Sequence, residues 1–302
     1  MPTLLERLKS EPVLLADGAW GSHFIAQGLD LSREPADSWN LRHPDGVSRL
    51  AADYASSADI LTTNTFGANR GRLARYGLEQ ALQEINASGV AIAREAKRAR
   101  GEHNPPLLVA GSMGPARGAG ETRPDDAVLS DIFEEQAACL AEAGASFLLL
   151  ETMTDLAEAR IAVRAAKAAS TLEVVCSFAF RERKSGHFET WSGDTVESAL
   201  GAALDSGAHL VGANCIPATA SILPLVERMR RFADTSPLWL KPNAGPPHAR
   251  GTHFAYPSPL SEAPLDRILD ALGWGAIGGC CGTTPLDIKQ LRRLLERRAK
   301  HP

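Results

Sequence analysis

The stretch ASFLLLETMTDLAEARIAVRAAKAA (145–169) holds one complete structural unit. Its first part, ASFLLLETM (145–153), is a continuous apolar run, the signature of a strand buried on both faces as in a parallel sheet. Glu151 and Thr152 break that run at its end. The remainder, 155–169, has helical period, and Asp155 stands where an N-cap is expected.

The same order recurs outward in both directions. The other apolar runs are VLLADGA (13–19), ADILTTNTF (58–66), PLLVAGSMG (106–114), EVVCSFAF (173–180), AHLVGANC (208–215), PLWLKPNAG (237–245) and WGAIGGCCG (274–282). Helical period returns in 84–100, 219–232 and 285–298. It returns also in 129–143, where Leu129, Ile132, Phe133, Gln136, Ala137 and Leu140 follow at three- and four-residue steps. Eight strand–helix alternations fit an α/β fold, a single (β/α)8 TIM barrel over residues 1–302, with an open doubly wound sheet as the alternative. No Pro/Ser-rich linker divides the chain, and the stretch Pro242 to Pro259 reads as a loop after the seventh strand.

Composition narrows the class. The chain has 302 residues and a formal net charge of -4, with 44% hydrophobic and 23% charged residues. That is too mixed for a disordered acidic chain and not basic enough to suggest a nucleic-acid partner. No apolar run approaches the ~20 residues of a membrane span. The five cysteines are an odd number, and the N-terminus MPTLLERLKSEPVLL lacks the marks of a secretory signal. A cytoplasmic, reducing setting is the expectation.

In a barrel the chemistry sits at the C-terminal ends of the strands. Here those ends carry Asp17-Gly18, Thr63-Asn64-Thr65, Glu151-Thr152, Asn214-Cys215, Asn243 and Cys280-Cys281. Core packing alone does not explain six polar or thiol-bearing strand ends. Barrel closure would bring Cys215 near Cys280 and Cys281, provided the backbone at GGCCG leaves strand geometry, which its glycines permit. Three thiolates with one open position describe a catalytic Zn2+ site. Zinc deprotonates a bound thiol near neutral pH, so the natural reaction is alkyl transfer to a substrate thiol. Cys139, on a helix, and Cys176, in mid-strand, read as bystanders. Asp17 and Glu151 could form an acid–base pair or grip an ammonium group. A thiol-bearing amino acid favours the second use, with backbone N–H groups around Gly18 and Thr63 meeting its carboxylate.

The motifs DGAWG (17–21), TTNTFGAN (62–69), GSMGP (111–115), ETMTDLAEA (151–159), GANC (212–215), KPNAG (241–245) and GGCCGTTP (278–285) together resemble the homocysteine S-methyltransferase family, over about residues 11–298. The resemblance implies zinc held by Cys215, Cys280 and Cys281, with homocysteine sulfur completing the shell. It implies ammonium binding by Asp17 and Glu151 and carboxylate binding by the N–H groups of Gly18 and Thr63. It puts Asn243 forward as a displaceable fourth ligand. In the betaine-using branch tyrosines stand where this chain has Gly67 and Thr152, so an aromatic cage for a quaternary ammonium would need Trp20, Trp39, Phe66 or Trp191. The length leaves no room for folate and cobalamin modules beside the barrel. The implied donor is a small onium compound or a methyl-corrinoid protein supplied in trans. Two alternatives stand beside homocysteine methylation: methylation of another thiol or a selenol such as selenocysteine, and a non-catalytic zinc-thiolate partner subunit.

Overall fold

Eight short strands form one parallel sheet: β1 (Val13–Leu15), β2 (Ile60–Thr62), β3 (Leu108–Met113), β4 (Phe147–Met153), β5 (Val174–Phe178), β6 (Leu210–Pro217), β7 (Leu238–Asn243) and β8 (Gly275–Ile277). Each coincides with one of the eight apolar runs, and only β6 passes the end of its run, by two residues. The computed structural model describes residues 2–101, 106–118, 121–184, 186–217, 222–246, 248–250, 253–256 and 262–300.

The sheet order is β1-β8-β7-β6-β5-β4-β3-β2. It closes through a parallel bridge between Ala16 and Ile60. There Asp17 N–H donates to Ile60 O at 3.0 Å and Asp59 N–H to Leu15 O at 2.6 Å. Closure makes the sheet a barrel rather than an open doubly wound sheet. A helix follows every strand, among them Leu82–Ala99, Asp126–Glu142, Leu156–Ala169 and Pro285–Lys300.

Strand alternation sorts the apolar residues into two layers. Leu14, Ile60, Leu108, Phe147, Val175, Leu210, Trp239 and Ala276 fill the barrel interior. Their strand neighbours, such as Leu15, Leu61, Leu148, Val174 and Leu238, pack outward against the helices. The helix Leu4–Ser10 stops the bottom of the barrel by placing Leu4 and Leu8 in the interior cluster. A Thr3–Glu6 capping box starts that helix.

Two hairpins are additions to the plain repeat. One pairs Arg181–Lys184 with His187–Glu189, after β5. The other pairs His248–Arg250 with His253–Ala255, inside the segment read as a loop after β7.

Candidate active site

The polar residues of the mouth follow from the same alternation. Two residues beyond the apolar interior positions Ile60, Ala110, Leu149, Val175 and Trp239 stand Thr62, Ser112, Glu151, Ser177 and Lys241. All five are buried. They form a polar floor above an apolar plug.

Three thiols meet over this floor. The Sγ atoms of Cys215, Cys280 and Cys281 all lie within 4.8 Å of one another. Cys215 and Cys281 are 3.9 Å apart, close to the ~3.8 Å edge of a tetrahedron with Zn–S bonds of about 2.3 Å. The chain after β8 reaches this point through close backbone approach. A Cβ at Gly278 would lie 2.7 Å from Asp17 O, and Gly282 has φ +80°. The Tyr256 hydroxyl hydrogen-bonds to Cys281. Hydrogen bonding with Cys215 and Cys280 holds the Cys281 thiol well below its ordinary range. Cys280 is pushed up to about 12: its hydrogen bond with Cys215 pulls downward, but the bond with Cys281, burial and the Cys281 charge outweigh it. Asn243 Oδ1 is buried at the end of β7 without a hydrogen-bond partner among the described residues, and nearby Cys280 N–H donates to Pro242 O at 2.7 Å. An all-thiolate donor set with an unsatisfied amide oxygen on the adjoining strand fits zinc.

Cys215 reaches the trio through a strained bulge. Asn214 faces the interior, so a regular strand would send Cys215 outward to the helices. The β6–β7 register shifts between Asn214 and Pro217, and Cys215 takes φ 59°. Thr152 has φ 60° at a matching shift between Leu150 and Met153 in β4. A left-handed non-glycine residue costs on the order of 1 to 3 kcal/mol and persists only where its surroundings hold it. Asn214 does the holding. Its Oδ1 accepts from Thr152 N–H and Ser177 Oγ, both at 2.8 Å. Its Nδ2 donates to Thr152 Oγ1 at 2.7 Å and reaches Cys280 Sγ at 3.8 Å.

The two carboxylates differ. Asp17 is wholly buried and receives Lys241 Nζ at 2.7 Å, Thr62 N–H at 2.8 Å and Trp20 Nε1 at 3.1 Å. Thr62 Oγ1 sits 2.8 and 3.0 Å from its two oxygens. Burial lowers Lys241, but the charges of Asp17 and Glu151 outweigh it and hold the ammonium above its ordinary range. Glu151 accepts from Ser112 Oγ. Burial pushes its carboxyl up to about 7, against the opposing pull of Lys241.

Of the expected carboxylate donors, the Gly18 N–H donates to no described residue. The Thr63 N–H does not stand free: it donates to Ala110 O at 2.9 Å, because β2 continues its pairing with β3 past Thr62. Thr63 Oγ1 is also engaged, 2.6 Å from Thr65 Oγ1 and accepting from Ser112 N–H at 3.0 Å.

Residues 14–295 match the family described as homocysteine S-methyltransferase. This chain belongs to the homocysteine S-methyltransferase family. A solved structure similar to it is the metallated form of the homocysteine methyltransferase MmuM from Escherichia coli. The TM-score is 0.79 and the identity 25%, covering 95% of this chain and 98% of that one. The methionine synthase of Mycobacterium tuberculosis (strain ATCC 25618 / H37Rv) is 30% identical over 306 residues, 93% of this chain and 24% of that protein. The methionine synthase of Mycobacterium leprae (strain TN) is 29% identical over 320 residues, 97% of this chain and 25% of that protein. The chain thus spans about a quarter of the length of these curated relatives.

Several mouth residues had no role in the sequence reading, although Thr62, Ser112 and Lys241 lie inside its motifs. Lys241, Thr62, Ser112, Ser177 and Tyr256 all sit at the site, and the first four could be found by extending the inward alternation of each strand. Each of the four aromatic candidates for a cage is engaged with other groups. Trp39 packs on Phe24 and His43, with ring centroids 4.9 and 4.6 Å away. Phe66 has the Arg72 guanidinium over its ring. Trp20 is tied to Asp17 and Thr62 through its Nε1. Trp191 is 61% exposed, with Arg181 over its ring.

Proposed function

We propose that this chain transfers a methyl group from a donor to the sulfur of homocysteine, giving methionine, with a zinc ion held by Cys215, Cys280 and Cys281. The observation that carries this reading is the convergence of the three thiols beside two buried carboxylates, Asp17 and Glu151. Zinc bound there would supply Lewis acidity that keeps a substrate thiol deprotonated near neutral pH while sulfur ligands leave it nucleophilic. Asn243 Oδ1, buried and without a hydrogen-bond partner among the described residues, would serve as a fourth ligand that substrate could replace.

The rest of the pocket orients an amino acid. Asp17 and Glu151 give it the negative character an ammonium group requires. The Gly18 N–H is the donor for the substrate carboxylate, while Thr63 supports the floor beneath it. Asn214 keeps Cys215 and Thr152 in their strained positions, so the thiol trio is preorganised before substrate enters.

The donor is a small onium compound or a methyl-corrinoid protein. Similarity to MmuM and to the two methionine synthases supports S-methylation. The engagement of each of the four aromatic residues by other groups weighs against a quaternary ammonium such as betaine. Among the described residues no helix is long and apolar enough to cross a membrane, and five free cysteines suit a reducing cytoplasm. The test is methionine formation from homocysteine by the zinc-loaded protein. The donors to compare are betaine, S-methylmethionine, S-adenosylmethionine, dimethylsulfoniopropionate and methylcobalamin. Product with one donor supports the reading, and absence of product with every donor contradicts it.

A further inference from the structure

Asp17 and Glu151 stand in one mouth, yet only one of them can be touched. Asp17 has no exposed surface, and Glu151 keeps 9%. A carboxylate offers about four acceptor positions. On Asp17, Oδ1 accepts from Lys241 Nζ and lies 3.0 Å from Thr62 Oγ1, while Oδ2 accepts from Thr62 N–H and lies 3.1 Å from Trp20 Nε1, which Thr62 Oγ1 shares. Among the described residues only Ser112 donates to Glu151, and it donates to Oε1. Glu151 Oε2 therefore retains its acceptor capacity.

Charge leads to the same division. Two carboxylates alone would put two negative charges against one substrate ammonium. Lys241, buried with Asp17 at 2.7 Å, cancels one of them. A substrate ammonium pressed against Asp17 would also meet the Lys241 ammonium, and like charges in a water-poor site repel strongly.

We infer that Lys241 is a specificity-determining residue. It holds Asp17 as its own counter-ion and leaves Glu151 as the single carboxylate that receives the substrate ammonium. This rests on the homocysteine reading above. Asp17 is then a positioning residue, which fixes Lys241, Thr62 and Trp20 beneath the substrate rather than binding it.

The pair can be separated by a double-mutant cycle, because replacing both members of a buried ion pair is far milder than removing one. Homocysteine binding to zinc-loaded protein is measured by calorimetry without a methyl donor. Zinc content and thermal unfolding are recorded for each variant. Asp17→Asn should weaken binding roughly tenfold or more, since it strands the Lys241 charge beside the ammonium. Asp17→Asn combined with Lys241→Met should return affinity to within roughly threefold of wild type. Glu151→Gln should lose tenfold or more and should no longer prefer homocysteine to its desamino analogue 4-mercaptobutanoate. A double variant that binds as weakly as Asp17→Asn overturns the inference, as does a Glu151→Gln variant that keeps the preference. If Asp17→Asn alone does not fold, the double variant decides. In that double variant, a preference for homocysteine over 4-mercaptobutanoate like that of wild type supports the inference, and loss of the preference there overturns it. Zinc-loaded wild type that ignores homocysteine contradicts the homocysteine reading, whereas binding by wild type with no recovery in the double variant contradicts only the role of Lys241.

Discussion

Asn214 and Thr152 are joined by two reciprocal hydrogen bonds, Thr152 N–H to Asn214 Oδ1 at 2.8 Å and Asn214 Nδ2 to Thr152 Oγ1 at 2.7 Å. Each is next to or part of a strand-end bulge, at Thr152 in β4 and Cys215 in β6. The link therefore fixes the relative position of Glu151 and Cys215, one proposed to bind substrate and one proposed to bind metal. Asn214→Leu should keep the volume and lose the link. The expected result is a loss of roughly 10- to 100-fold in zinc affinity, read by competition with a chelator. Unchanged affinity would mean that the bulges hold themselves.

Cysteine substitutions should divide into two groups. Cys215→Ser, Cys280→Ser and Cys281→Ser should each lose zinc and activity together. Cys139→Ser should keep both, because Cys139 packs at a small satellite cluster around Leu73 and Ile85. Metal content per chain, measured after gel filtration, checks the division. Stoichiometric zinc in Cys281→Ser would contradict it.

The pH dependence follows from Glu151. Its folded carboxyl is raised to about 7, mainly by burial, so the native state holds a proton that the unfolded chain has released. Its effect on stability is fully present below the ordinary carboxylate range and is lost as pH rises towards 7, on the order of 3 kcal/mol at most. Ammonium binding has the opposite sign, since only the ionised carboxylate attracts it. Homocysteine affinity should fall as pH drops below about 7, and Glu151→Gln should flatten that profile. An unchanged profile in Glu151→Gln would assign the dependence to another group.

The bottom of the barrel should matter for stability and not for substrate. Leu8 is buried in the interior cluster, far along the axis from the polar floor. Leu8→Ala should cost about 2 to 5 kcal/mol in urea unfolding while leaving homocysteine affinity unchanged. A stability loss near zero would show that the N-terminal helix does not seal the barrel.

The barrel was legible because parallel strands buried on both faces leave continuous apolar runs, and all eight runs carry a strand. The cysteine trio was legible because barrel closure joins strand ends that are distant in sequence. The Lys241–Asp17 pair was harder to see. Lys241 lies inside the PLWLKPNAG run, and its partner is fixed only once β1 and β7 face the same lumen. Thr63 misled for a related reason: strand pairing continues past Thr62 and engages an N–H that a loop residue would leave free. The bulges at Thr152 and Cys215 have no glycine to announce them. They depend on Asn214, a residue whose importance appears only in three dimensions. The hairpin after β7 was hidden by the prolines and glycines around it, and the helix Leu4–Ser10 had its T-x-x-E capping signal but no strand before it to mark a repeat.

X-ray absorption at the zinc edge, before and after homocysteine is added, probes the metal and the substrate together. The expected shell has three sulfur neighbours and one oxygen or nitrogen neighbour in the resting protein. It has four sulfur neighbours with homocysteine bound, and three again in Glu151→Gln at a homocysteine concentration that saturates only wild type. A shell that does not change when homocysteine binds, or four sulfurs before it is added, would contradict the proposed chemistry.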